Sequence, residues 1–147
     1  MSTAQTTSGH CHCGAVSYTV SGKLRPIMYC HCEQCRRTGG HFVAATACHP
    51  EQLDIIGTEN IKWYRSSPAA ERGFCMNCGS NLFWKPEHRG HWGIWAGSLN
   101  RPTGLKAVQH IYVHMKSDYY DLDDGLPQYD EEYPSFDFEE SEVSRSR

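Results

Sequence analysis

Residues 11–14 read Cys-His-Cys-Gly and residues 75–79 read Cys-Met-Asn-Cys-Gly. Each stretch is typical of a short turn that brings two thiols to one side, and the glycine after the second cysteine admits the positive φ that this turn requires. Two such turns supply four sulfurs, which is the ligand count of a closed structural zinc site. A zinc ion held in this way would contribute directly to folding. The predicted structural zinc ligands are Cys11, Cys13, Cys75 and Cys78.

A third cluster, CHCEQC at residues 30–35, supplies three more thiols, from Cys30, Cys32 and Cys35. Three protein ligands are the arrangement in which zinc keeps an open position for water or substrate. We therefore predict a second, open zinc site here, with two zinc ions expected per chain and partial occupancy of the second left open. Cysteines this close along a chain pair poorly as disulfides, because a bridge needs partners that face each other across about 5.5–6 Å between Cα atoms.

Two alternatives to an open zinc remain at residues 30–35. His31, His41, Cys48 or a more distant histidine would complete the tetrahedron and make a second structural site. An iron–sulfur cluster is the other alternative, because thiolate spacing alone does not select the metal. Cys48 stands apart from the clusters, and a lone cysteine is more often a buried small apolar residue than a ligand.

Short segments of alternating apolar and polar residues predict a mainly β fold with several small antiparallel sheets. Gly, Pro, Asn and Ser separate these segments at roughly regular intervals. One helical turn is expected over Glu33 to Thr38, ended by Gly39 and Gly40. The predicted strands are 15–21, 26–30, 42–48, 53–56, 61–64, 81–84, 92–99 and 108–113.

Charge is divided unevenly along the 147 residues, although the formal net charge is only -3. Residues 1–116 carry twelve Lys and Arg against six acids, whereas residues 117–147 hold eleven acids and two Arg. We predict a flexible N-terminus at 1–8, a zinc-binding domain at 9–117 and an acidic, aromatic-containing tail at 118–147. The tail is expected to pack on the domain up to about residue 134 and to extend into solvent beyond it.

No segment approaches the ~18 consecutive apolar residues of a membrane-spanning helix, and residues 1–9 lack the apolar core of a secretory signal. We therefore expect a soluble, cytoplasmic protein with no membrane partner. The chain also lacks a sustained run of Lys and Arg interleaved with aromatic residues, which argues against nucleic acid as a partner. No particular oligomeric state is predicted.

The cysteine motifs together resemble the glutathione-dependent formaldehyde-activating enzyme family, which includes centromere protein V. The resemblance rests on GHCHCG at 9–14, CHCEQCRRTGG at 30–40 and FCMNCGS at 74–80, and it covers roughly residues 9–115. It implies a fold of small coiled antiparallel sheets around a structural zinc, similar to methionine-R-sulfoxide reductase B. It also implies the same division of the seven cysteines between a four-ligand and a three-ligand zinc.

The family reaction implied by the resemblance joins glutathione to formaldehyde as S-hydroxymethylglutathione, formally carbon–sulfur lyase chemistry. Such a reaction needs a thiolate nucleophile, a polarised carbonyl and a proton for the resulting alkoxide. Zinc on three thiolates is electron-rich, so it suits binding an incoming thiol better than activating water. Cys30, Cys32 and Cys35 are accordingly the predicted catalytic centre.

Nearby basic residues are the candidates for the remaining roles. His31 or His41 would supply the proton, and we group His31 with the catalytic cluster and His41 with the substrate contacts. Arg36, Arg37 and Lys23 are candidates to contact the carboxylates of the tripeptide.

The alternative function is a non-catalytic, zinc-stabilised binding module for an acidic protein or nucleic-acid partner, by analogy with the centromere-associated member. If seven thiolates bind two zinc ions, the formal charge of residues 1–116 falls from +6 to +3. A surplus this small is weak for a surface that binds phosphates. The charge distribution therefore favours a small anionic thiol as the partner.

Overall fold

The fold of the computed structural model, which describes residues 5–132, is mainly β, as predicted. It contains ten strands, one short α-helix and several 3-10 turns. The helix is α1 (Glu33–Gly39). The strands are β1 (Thr6–His10), β2 (Ser17–Ser21), β3 (Ile27–Cys30), β4 (Val43–Cys48), β5 (Leu53–Ile56), β6 (Ile61–Ser67), β7 (Ala70–Cys75), β8 (Asn81–Pro86), β9 (Trp92–Trp95) and β10 (Ala107–Ile111).

The strands form two sheets. The smaller sheet has the order β1-β2-β5 and is antiparallel throughout. The larger sheet has seven strands in the order β10-β3-β4-β9-β8-β7-β6. Its pairs are antiparallel except β10 with β3, which run parallel. Antiparallel pairing is therefore confirmed as the main organisation, and the structure adds one larger sheet with a parallel edge.

The hydrophobic core joins the two sheets. Tyr18 of β2 packs edge to face on Phe83 of β8, with ring centroids 5.3 Å apart. Ile94 of β9 lies in the same cluster, as do the ligand candidates Cys11 and Cys75. Burying a large apolar side chain of this kind contributes about 1.5–3 kcal/mol. The first cysteine group is thus part of the core that holds the sheets together.

Two strands, β1 and β7, are absent from the sequence prediction. Strand β1 reads TTSGH and begins at Thr6, three residues before the predicted start of the domain. Strand β7 reads AERGFC, which includes two charges and a glycine. Neither has the apolar alternation that marks a strand in a sequence, and each is held by its neighbours in the sheet. The predicted helical turn is confirmed at α1, which ends immediately before Gly40.

The first part of the acidic tail lies along the edge of the larger sheet. The amide of His110 donates to the carbonyl of Pro127 at 2.9 Å, and the amide of Tyr129 donates to the carbonyl of His110 at 3.0 Å. The predicted end of packing near residue 134 falls outside the described residues. None of the helices in residues 5–132 is long and apolar enough to cross a bilayer.

Candidate functional site

The four cysteines predicted to bind structural zinc come together at one place. All of their sulfurs lie within 4.8 Å of one another. The Sγ of Cys13 is 3.7 Å from that of Cys11 and 3.8 Å from that of Cys75. Four thiolates held at about 2.3 Å from a tetrahedral zinc would be ~3.8 Å apart. The arrangement therefore fits zinc without rearrangement.

Local hydrogen bonds shape this four-cysteine site. The amide of Val16 donates to the Sγ of Cys11 at 3.3 Å. In the other turn, Gly79 follows Cys78 and adopts the left-handed conformation, with φ 79°, that closes the turn. The side chain of Ser80 is 3.2 Å from the Sγ of Cys78. Hydrogen bonding from Ser80 is the main cause that lowers the pKa of Cys78 to about 5. These contacts favour thiolates in a site that is partly enclosed by the core.

The second cluster lies where β3 ends and α1 begins. The sulfurs of Cys30, Cys32 and Cys35 lie within 4.8 Å of one another. Cys32 is the N-cap of α1, and the amide of Cys35 donates to its sulfur at 3.3 Å. This capping bond fixes two of the three sulfurs relative to each other.

Electrostatics within the second cluster favour a bound cation. Hydrogen bonds from the thiols of Cys30 and Cys35 lower the pKa of Cys32 to about 2, whereas the same close contact with Cys32 raises the pKa of Cys30. Three sulfurs this close cannot all ionise unless a positive charge balances them. A divalent ion that prefers thiolates, such as zinc, would provide that balance.

None of the proposed fourth ligands joins this cluster within residues 5–132. Cys48 lies fully buried in the hydrophobic core. His31 uses both ring nitrogens elsewhere, with Tyr120 at 2.7 Å and His110 at 2.9 Å. His41 is exposed, and its Nδ1 is 2.7 Å from the hydroxyl of Tyr119. A zinc ion on the three cysteines would keep a coordination position open.

The second cluster faces a cavity of about 440 Å³. This volume is within the ~300–1,000 Å³ range of small-molecule sites. All three cysteines line it. Further lining side chains are Arg25, Arg72, Trp84, Arg89, Trp95 and Glu132.

Two of the arginines that line the cavity are almost completely buried. Arg25 is 8% exposed and Arg72 is 6% exposed. An Nη2 of Arg72 lies 3.7 Å from the Sγ of Cys35, and its guanidinium lies over Trp95, 5.5 Å from the ring centroid. The Nε of Arg72 is buried and has no hydrogen-bond partner among residues 5–132. Burial lowers the pKa of Arg25 to about 10, so this guanidinium still carries its charge at neutral pH.

The basic residues predicted from the sequence lie elsewhere. Lys23, Arg36, Arg37 and His41 are not among the described residues that line the cavity. Arg37 pairs with Glu33 one helical turn away, at 3.0 Å on the surface of α1. Arg36 is half-buried, and its Nε has no hydrogen-bond partner in the part of the chain that the structure describes.

His31 belongs to a series of hydrogen-bonded side chains next to the cysteine cluster, and its ring is buried. The carboxylate of Asp124 accepts from Nε2 of His110 at 2.8 Å, so Nδ1 of His110 accepts from Nε2 of His31 at 2.9 Å. Nδ1 of His31 then accepts from the hydroxyl of Tyr120 at 2.7 Å. Burial is the main cause that lowers the pKa of His31 to about 4. These hydrogen bonds fasten the tail to residue 31.

The sequence prediction does not include Arg25, Arg72 or Arg89. The sequence offers no signal for Arg72, because β7 lacks the apolar alternation that would reveal that Arg72 shares a strand face with Ala70. Both residues are buried, and an arginine on a buried face needs a partner. Arg25 and Arg89 lie in loops, where no periodic pattern reveals burial.

Comparisons with known proteins agree with this geometry. The model of the family described as glutathione-dependent formaldehyde-activating enzyme matches residues 6–115. An uncharacterized lyase of Schizosaccharomyces pombe is 34% identical over 76 residues, which are 52% of this chain and 55% of the relative. A Halomonas elongata protein, provisionally named a glutathione-dependent formaldehyde-activating enzyme, is 34% identical over 83 residues, 51% of this chain and 53% of the relative.

The chain spans about half the length of these curated relatives. A crystal structure of a Rhodobacter sphaeroides protein superposes with a TM-score of 0.54 at 27% identity, covering 68% of this chain and 97% of that one. The family match covers most of the chain, including all seven clustered cysteines. The chain belongs to the glutathione-dependent formaldehyde-activating enzyme family.

Proposed function

We propose that this protein is a zinc-dependent carbon–sulfur lyase that acts on glutathione, or a similar anionic thiol, and a small aldehyde. The observation that carries the proposal is the position of the three-cysteine cluster, whose sulfurs line a cavity that also contains three arginines. A sulfur site alone would suit many roles. Its combination with an arginine-lined cavity of small-molecule size favours a substrate that has both a thiol and carboxylates.

The reaction is an addition that needs neither an oxidant nor a reductant. In the synthetic direction the thiol sulfur bonds to the aldehyde carbon and the carbonyl π bond breaks. The thiol loses one proton and the new alcohol oxygen gains one, so atoms and charge balance. Zinc on Cys30, Cys32 and Cys35 would supply a soft cation that lowers the pKa of the incoming thiol.

Cavity residues would place and shield the substrate. Arg72 offsets the negative charge at Cys35, because its guanidinium lies 3.7 Å from that sulfur. Trp84 and Trp95 form apolar parts of the wall, which exclude water and strengthen the charged contacts inside. His31 is proposed as a positioning residue, because it lies between Cys30 and Cys32 in the sequence, bonds Tyr120 and His110, and is not among the described residues that line the cavity.

The test measures formation of S-hydroxymethylglutathione by the protein loaded with two zinc ions. NMR exchange spectroscopy at several protein concentrations separates the catalysed rate of adduct formation from the spontaneous rate. We expect the rate to rise in proportion to protein and to return to the spontaneous value in Cys35→Ala. If the zinc-loaded protein gives no increase with glutathione, other small thiols or a panel of aldehydes, the lyase proposal is wrong and the binding-module alternative is favoured.

A further inference from the structure

A carboxylate from the acidic tail lies at the cavity. Glu132 accepts two hydrogen bonds from Arg89, at 2.6 Å from Nη1 to Oε1 and 2.8 Å from Nη2 to Oε2. Both side chains line the cavity, and the guanidinium of Arg89 lies over Trp84, 5.8 Å from the ring centroid. Paired, nearly parallel hydrogen bonds are the geometry by which arginine recognises a carboxylate. The cavity therefore contains a carboxylate-binding arrangement already in use by the chain itself.

A second cation, Arg25, lies in the wall of the same cavity and is more deeply buried. Its guanidinium donates to the backbone carbonyls of Pro26 at 3.4 Å and Ala45 at 3.1 Å. Within residues 5–132 it forms no ion pair with a carboxylate within 4.0 Å. Leaving a buried guanidinium without a counter-charge is unfavourable. An anionic group of a ligand in the cavity would supply that counter-charge.

Glu132 and Arg25 interact electrostatically although they form no ion pair. The negative charge of Glu132 works against the effect of burial, which lowers the pKa of Arg25. Hydrogen bonds from Arg89 are the main cause that lowers the pKa of Glu132, so this carboxylate is ionised at neutral pH. Glu132 thus lines the cavity together with both arginines.

We propose that Arg25 and Arg89 form a subsite for a carboxylate of the thiol substrate, and that Glu132 competes with that carboxylate for the subsite. This inference rests on the proposed function, because the subsite would orient the thiol toward the three cysteines. Glu132 carries the same charged group as the substrate, a carboxylate, and it belongs to the same chain as the two arginines of the subsite. Its effective concentration is consequently high, while its tether limits how deeply it reaches.

Backbone contacts hold the segment that presents Glu132. The amide of Val113 donates to the carbonyl of Tyr129 at 3.0 Å, and the amide of Tyr112 donates to the carbonyl of Glu131 at 3.4 Å. These bonds would survive release of the Glu132 side chain. Substrate would therefore displace one carboxylate rather than unfold the tail.

The experiment uses the zinc-loaded full chain and S-methylglutathione, whose thioether carries the tripeptide carboxylates but supplies no thiolate. Calorimetry at fixed ionic strength compares the wild-type protein with E132Q, R89Q and the double variant. E131Q is the matched control, because it removes the same charge from the neighbouring residue, which does not line the cavity. Arg89 and Glu132 are partly exposed, so these changes leave the core intact.

We expect E132Q to bind S-methylglutathione about five- to tenfold more tightly and R89Q to bind it about tenfold more weakly, the scale of charged contacts in such sites. The gain from E132Q should shrink in the R89Q background, and E131Q should match the wild type. Equal or weaker binding by E132Q overturns the competition. Equal binding by R89Q, or a gain in E131Q as large as that in E132Q, overturns the subsite.

Turnover measured on the same samples separates this inference from the proposed function. If E132Q lowers KM for glutathione with little change in kcat, both stand. If the probe responds as expected but no variant forms S-hydroxymethylglutathione, the lyase proposal fails and the subsite stands. If turnover is present with an unchanged KM in E132Q and R89Q, the subsite fails and the lyase proposal stands.

Discussion

The two cysteine clusters hold their sulfurs at similar separations but in opposite surroundings. The four-cysteine site joins distant parts of the chain, and two of its members, Cys11 and Cys75, belong to the hydrophobic core. The three-cysteine site lies on one strand end and one helical turn, and its sulfurs line a cavity. Cysteine sulfurs therefore belong to the hydrophobic core in one place and face a ligand-sized space in the other.

The two sites also differ in the charge of the groups that contact their sulfurs. Neutral donors, the amide of Val16 and the side chain of Ser80, contact sulfurs of the four-cysteine site. A charged donor, Arg72, contacts Cys35 in the three-cysteine site. A positive side chain beside a thiolate is useful where a further anion has to approach. The difference in surroundings is thus what separates a structural site from a candidate reaction centre.

The largest effect is expected when one ligand is removed from each site. We expect Cys78→Ala to lose structural zinc and cooperative folding, because metal binding at such a site contributes on the order of 10 kcal/mol to folding. Cys35→Ala is the matched control, and we expect it to keep its fold and to fall from two zinc ions per chain to about one. Zinc analysis with thiol titration and thermal unfolding measures both effects. Loss of folding in both variants would mean that both zinc ions are structural.

A smaller effect is expected from the arginine beside the three-cysteine site. Arg72→Met removes the positive charge near Cys35 while keeping an apolar side chain against Trp95. We expect kcat/KM for the thiol to fall about tenfold or more, since charge-assisted contacts are worth about 1.5–3 kcal/mol. Steady-state kinetics measure the change, and Arg72→Lys should recover part of it.

The matched control for Arg72 is Arg37, one of the two adjacent arginines that the sequence suggests as substrate contacts. Arg37 pairs with Glu33 on the exposed side of α1, and such pairs contribute about 0.3–0.5 kcal/mol. Arg37→Gln should therefore leave kcat/KM within about twofold of the wild type. If Arg37→Gln lowers kcat/KM as much as Arg72→Met, the cavity is not the place where the thiol binds.

The contrast between these arginines illustrates what a sequence can reveal. Cysteine spacing predicts which sulfurs lie together within a cluster, because ligands two or three residues apart are brought together by local turns, but spacing alone does not fix that 11–13 meets 75–78. The clusters at 11–13, 30–35 and 75–78 are found where that reasoning expects them. Which residues line the cavity depends instead on the order of strands in the larger sheet. That order places Arg72 of β7 beside Cys35 of α1.

The hydrogen-bond partners of the tail are likewise not predictable from the sequence. Its alternation of aromatic and acidic residues suggests contact with the domain, but composition does not reveal the partners. Tyr120 and Asp124 reach the two buried histidines of the chain, whereas Glu132 reaches Arg89. Arg36 and Arg37, adjacent to the third cluster in sequence, pair with none of these tail side chains. Proximity along the chain is a weak guide to which charges meet in space.

An effect well below that of losing a structural zinc ligand is expected at the contact that fastens the tail to His31. Tyr120→Phe removes the hydroxyl that donates to Nδ1 of His31, a ring that is 1% exposed. Leaving that nitrogen without a donor should lower the free energy of unfolding by about 1–3 kcal/mol. Since His31 lies between two of the three cysteines, zinc affinity at that site should also fall, while the four-cysteine site keeps its metal.

Tyr119→Phe provides the comparison for that substitution, because the hydroxyl of Tyr119 contacts His41, which is exposed to solvent. Water replaces a lost partner at an exposed histidine but not at a buried one, so Tyr119→Phe should have a smaller effect. Chemical denaturation and zinc competition with a chelator measure the two variants side by side. Equal losses of unfolding free energy and zinc affinity in the two variants would show that burial of His31 does not strengthen its contact with the tail. A larger loss in Tyr120→Phe, confined to the three-cysteine zinc, would make the tail a structural support of the candidate reaction centre.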